Sequence, residues 1–152
     1  MTNTDEKREK VVSTLEGLIQ ILEDGKLGYT NAAEHVGSAP IKSDFIQFAR
    51  ERALYIVELQ DEINRLGKTT DASGGGVLGA IHRAWIDIKS SFTSGDVEAI
   101  ANACITGEES AIASYETALD IEELGADQIA LISKQLTGIK SALLTIKAKK
   151  LN

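Results

Sequence analysis

Apolar residues recur along this chain at alternating spacings of four and three, the seam of a helix packed in a bundle. The first seam runs Val11, Leu15, Leu18, Leu22, Gly25, Tyr29, Ala32 and Val36, and predicts a helix over about 5–36. Gly25 and Gly28 each weaken a helix by about 1 kcal/mol relative to alanine, yet the phase passes through them unchanged. One continuous helix is expected, with a neighbour packed closely on the glycines. Gly37-Ser38-Ala39-Pro40 stops it and starts the next: the glycine suits a helix C-terminus, Ser38 a cap and Pro40 a first turn. The second helix, about 40–66, aligns Phe45, Phe48 or Ala49, Arg52, Tyr55 or Ile56, Leu59, Ile63 and Leu66, and Gly67 ends it. Lys68–Gly76, KTTDASGGG, reads as a loop. A shorter helix over about 77–93 follows, with Val77, Ile81, Trp85, Ile88 and Phe92 on one side. The third long seam, over about 96–121, is Val97, Ala101, Cys104, Glu108, Ala111, Tyr115 and Ala118. After Gly125, with Asp127 as cap, the last helix (about 127–149) presents Ile129, Ile132, Leu136, Ile139, Leu143 and Ile146.

No strand-like alternation bounded by turns and no internal repeat interrupts this pattern, so the chain is expected to be all-α. Short turns make the first and second helices, and the third and fourth, antiparallel hairpins. The long link from Gly67 to Gly95, with its extra short helix, must then carry the chain along the bundle. Four long helices with one long crossover define the ferritin-like four-helix bundle. A single bundle domain over 1–152 is expected, since this length suffices for one sizeable core.

Composition narrows the partners. The net charge of −7 opposes non-specific binding to nucleic acid or an anionic membrane surface. The basic Lys147–Lys150 segment serves the dipole of the last helical turn. No apolar run is read as long enough to span a bilayer, and the polar start MTNTDEKREK shows no signal peptide, so a cytoplasmic location is expected. One cysteine, Cys104, excludes an internal disulfide and a multi-cysteine metal site.

The expected fold raises the question of a dinuclear carboxylate centre. Such a centre needs a Glu from each of two helices and a Glu-x-x-His pair from each of the others. The two histidines, His35 and His82, have Ala32 and Gly79 three residues before them, and Glu16, Glu23 and Glu34 fall off the first seam. The last helix contributes no inward ligand on this reading. Arg52 and Glu108 do sit mid-seam, on the second and third helices. A guanidinium does not shed its proton, so a buried one needs an acid beside it. Arg52 is therefore expected to pair with Glu108, helped by Glu109, Glu51 or the Tyr115 hydroxyl. The alternative is an unconventional metal or redox site for iron, manganese or zinc, built from Glu108, Glu109, Glu51, Glu58 and His82. Gly74–Gly79 matches G-x-G-x-x-G but follows no strand, so a glycine-rich connection outweighs a nucleotide site. His82 beside Trp85 reads as a partly exposed anchor, and Cys104 as inert packing.

Several stretches together carry a resemblance: Asp24-Gly25 through Ala32-Ala33-Glu34, Phe48-Ala49-Arg50-Glu51-Arg52-Ala53 with Glu58-Leu59, and Leu66-Gly67. They continue with His82-Arg83-Ala84-Trp85-Ile86-Asp87-Ile88-Lys89, then Gly107-Glu108-Glu109 followed by Tyr115. The chain resembles a bacterial family of ferritin-like four-helix-bundle proteins classed as a domain of unknown function. Where that family tends to carry a His-Asp pair, this chain has Leu143-Leu144, so any role of the pair is absent here. The resemblance implies the fold and a soluble bacterial protein, and brings no activity. The expectation is a non-enzymatic structural, stress-associated or protein-interaction module, homo-oligomeric and without a cofactor.

Overall fold

The computed structural model describes residues 3–37, 39–68 and 96–150. Among them are four α-helices, α1 (Asn3–His35), α2 (Ile41–Arg65), α3 (Val97–Leu119) and α4 (Ala126–Lys150), and no strand. The loop and short helix expected after Lys68, with His82 and Trp85, fall outside the described residues, as does Ser38.

Local chemistry sets the helix ends. α1 runs 33 residues without interruption at Gly25 or Gly28, with Asp5 and Glu6 in its first turn to oppose the helix dipole. Gly67 takes φ +82°, and the amides of Gly67 and Lys68 donate to the carbonyls of Asn64 and Ile63. That is a Schellman closure, which needs a left-handed residue and so favours glycine. Gly37, at φ +64°, follows α1 in the same conformation. α3 starts under the Asp96 side chain, which accepts from the Glu98 amide at 3.0 Å, and ends at Leu119, short of the expected 121. α4 is capped differently from expectation. Gly125 holds the cap position, and Gln128 reaches back to accept from the Gly125 amide at 2.6 Å, one half of a capping box. Asp127 instead lies in the first turn.

Cross-helix contacts fix the directions. Asp44, Glu58 and Glu62 of α2 meet Lys149, Lys134 and Gln128 of α4, so these two helices are antiparallel. Ile41 lies beside Val97 and Ala101, and Arg52 meets Glu108, so α2 and α3 run parallel. Lys68 and Asp96 therefore lie at opposite ends of the bundle. α1 packs chiefly on α2, and α3 on α4, as two hairpins joined by short turns should.

The core is divided. One apolar cluster joins Leu15, Leu18 and Leu22 of α1 to Leu59, Ile63, Tyr115, Ile132 and Ile139. The other joins Tyr29 and Ala32 to Phe45, Phe48, Ile100, Cys104 and Ile146. Gly25, Arg52 and Glu108 occupy the level between them. Two seam positions lie outside the core: Val97, the first residue of α3, is 39% exposed, and Ile129 is 42% exposed because Gln128 takes the inward position four residues before Ile132. Of the paired alternatives on α2, Phe48 and Ile56 are the buried ones.

One expectation about the membrane is corrected. α4, over Ala126–Lys149, is long and apolar enough by length and composition to cross a bilayer. Its apolar positions Ile132, Ile139 and Ile146 are fully buried in the bundle, and Gln135 hydrogen-bonds to α2 and α3, the pattern of a core helix.

Candidate functional site

The mid-bundle level is polar because three helices each place a polar or permissive residue there. Arg52 on α2 is 2% exposed and Glu108 on α3 is 1% exposed, and Nη2 of the guanidinium donates to Oε2 of the carboxylate. From α1, the Tyr29 ring lies 5.5 Å from the guanidinium carbon, a cation–π contact in a desolvated site. Tyr29 is itself held by Phe45 and Phe48, with centroids at 5.8 and 5.3 Å. Gly25 leaves the Arg52 stem its room: a Cβ there would stand 3.9 Å from Cγ and Cδ, ordinary van der Waals contact. Among the described residues no acceptor reaches Arg52 Nε.

The electrostatics follow from burial and pairing. Burial is the largest influence and works to lower the Arg52 pKa, but the Glu108 carboxylate together with Tyr29, Tyr115 and Tyr55 outweighs it. The guanidinium stays charged. Burial pushes Glu108 above the ordinary carboxylate range, and attraction to Arg52 with hydrogen bonding from Tyr29 and Arg52 opposes that push. Cys104 is fully buried, and desolvation first, then Glu108, drives its thiol far above its usual value. A thiol that stays protonated and has no access to solvent is a poor nucleophile.

The neighbouring polar group is separate. The Tyr115 hydroxyl donates to Gln135 Oε1 at 2.7 Å, and Gln135 Nε2 donates to the Tyr55 carbonyl and to Glu58, both at 3.1 Å. The Tyr115 hydroxyl thus donates to Gln135 and not to the Arg52–Glu108 pair. Glu109 is turned outward to Lys147 at 3.8 Å, and Glu51 lies 3.5 Å from Gln47, so neither joins the Arg52–Glu108 pair. A third polar contact lies one turn further along, where Gln128 Nε2 donates to the buried Glu62 at 2.8 Å, and Arg65 pairs with the same Glu62.

Metal ligation was the alternative use of these acids. Among the described residues no three His, Cys, Asp or Glu side chains converge as a metal ion would need. Glu108 is taken up by a guanidinium, Glu58 by Lys134 at 3.5 Å and Gln135, and Glu109 by Lys147. His82 lies outside the described residues. Sequence reasoning missed Tyr29, Gln128, Gln135 and Glu62 as buried polar participants. Gln135 had a legible signal, since it lies three residues after Ile132 and four before Ile139.

No curated protein matches the chain. Residues 10–121, running from the first turns of α1 past the end of α3 and including Arg52 and Glu108, match the family described as Domain of unknown function (DUF2383), and the chain belongs to that family.

Proposed function

We propose that the protein is a ferritin-like bundle with a long second-to-third crossover, whose mid-bundle level holds a guanidinium in place of metal cations. It serves as a non-enzymatic structural, stress-associated or protein-interaction module in a bacterial cytoplasm, and assembles as a homo-oligomer. The observation that carries this reading is the Arg52–Glu108 ion pair buried between two apolar clusters. A fixed positive charge there repels a metal ion and engages Glu108, a carboxylate that could otherwise bind it. Both charged groups of the pair are buried, so neither is presented to a substrate in solvent. The helix level is common to ferritin-like centres by analogy of fold alone.

Elemental analysis of protein purified from iron-, manganese- and zinc-supplemented growth tests this. Sub-stoichiometric metal is expected, unchanged in Glu108→Gln. Stoichiometric metal that disappears in that variant would establish an unconventional carboxylate site and overturn the proposal.

A further inference from the structure

We propose that the outward face of α2 binds a second copy of the chain, the two α2 helices packing antiparallel about a two-fold axis between the levels of Tyr55 and Ile56. This rests on the homo-oligomer proposed above and names the surface that makes it. Away from its core face, α2 carries Gln47, Arg50, Leu54, Val57, Asp61 and Asn64, alternating by three and four, and all six are exposed. That spacing is the seam of a coiled coil. The buried seam of the same helix, from Phe45 through Arg52 to Ile63, already faces the bundle. A helix that only closes one core needs no second seam. Leu54 and Val57, 56% and 50% exposed, form the apolar centre of the outer one.

The order of side chains along this seam selects the occupant. Read from either end it runs amide, charge, apolar, apolar, charge, amide, and the two charges are opposite in sign. Antiparallel pairing sets Gln47 against Asn64, Arg50 against Asp61 and Leu54 against Val57 of the second copy. Two-fold symmetry forms each pair twice, so every layer is matched. Parallel pairing would instead set like charges together at both charged positions, which is unfavourable. Arg50 and Asp61 form no salt bridge among the described residues. Asp61 does lie in the field of Arg65, whose guanidinium is taken up by Glu62. On the flank toward α4, Lys134 counters Glu58 at 3.5 Å, and Gln47 lies 3.5 Å from Glu51. One seam of about 26 Å buries little area, so the association is weak and concentration-dependent.

Sedimentation equilibrium of the whole protein, from low micromolar to sub-millimolar concentration, tests the pairing. The parent should associate as concentration rises, and Leu54→Glu should abolish association while circular dichroism stays as in the parent. Arg50→Glu and Asp61→Lys should each weaken association roughly ten- to thirty-fold, because two exposed pairs turn from attraction to repulsion. Arg50→Glu makes the acidic chain more negative and Asp61→Lys makes it less so, so weakening by both reports the pair and not net charge. The double charge reversal on one chain should restore parental association. Positions 50 and 61 lie about 16 Å apart along one helix, so the rescue must come from contact between copies. A monomer at every concentration would overturn both this surface and the homo-oligomer, leaving the face to a partner of another sequence. Association that survives Leu54→Glu and both single charge reversals would overturn the surface and leave the homo-oligomer standing. Loss in the single variants without rescue in the double would overturn the antiparallel pairing.

Discussion

Arg52 and Glu108 have given up nearly all contact with water, so each depends on the other for its charge to be tolerated. Removing one partner of such a pair costs about 3–5 kcal/mol, whereas removing both with well-packed apolar residues costs little. Arg52→Met and Glu108→Leu should each destabilise by about that amount in urea unfolding, and the double variant by clearly less than their sum. Strict additivity would show that the two side chains do not couple. Alkaline pH gives a second handle at this scale. Burial raises the folded-state pKa of Cys104, Tyr29 and Tyr115 above ordinary values. A raised folded pKa contributes stability that is complete below the unfolded pKa and is lost as pH rises beyond it. Stability should therefore fall from about pH 8.5 upward, first through Cys104 and then, near about pH 10, through the tyrosines. Denaturant midpoints in Cys104→Ala should show a flatter slope between about pH 8.5 and 10 than the parent protein. An unchanged slope would remove Cys104 from this account.

At the scale of helices, two glycines make opposite demands. Gly25 of α1 faces the Arg52 stem with room for a methyl group, and a Cβ at Gly138 of α4 would collide with the Tyr55 hydroxyl. Gly25→Ala should raise stability by about 1 kcal/mol through helix propensity alone. Gly138→Ala gains the same propensity but forces the Tyr55 ring aside, at about 1–3 kcal/mol of overpacking. Its melting temperature is expected to fall while that of Gly25→Ala rises. The close neighbour expected on Gly25 is thus a side-chain stem, and the tighter contact, the Tyr55 hydroxyl against Gly138, lies on another helix. That distinction was not legible in the sequence, because a glycine's neighbour comes from a distant part of the chain. Helix existence was legible for the opposite reason: seam periodicity and glycine stops are set within a few residues. α4's start was misassigned because Gly125 and Gln128 share the capping, and Asp127 looked like the better cap by residue type.

For the whole molecule, polar contacts tie α4 to α2 at three levels, through Gln128–Glu62, the Gln135 amide and Lys149–Asp44. The two glutamine contacts set register, since a misplaced Gln128 or Gln135 amide would be left buried and unpaired. The proposed homo-oligomer is a property of this scale too. Light scattering behind size-exclusion chromatography should give a mass above the 16.3 kDa of one chain at micromolar concentration. A mass of one chain across that range would set the oligomer aside.

Hydrophobic period, glycine stops and caps are local, and the sequence alone determined the four long helices, the faces they bury and the presence of Arg52 and Glu108 on those faces. Only the tertiary structure decided which groups complete the buried pair. Tyr29, read as one more apolar seam residue, packs against the guanidinium, while Tyr115 and Glu109 turn to Gln135 and Lys147. Periodicity places a residue on a face, and the rotation and height of the neighbouring helices determine what that face meets.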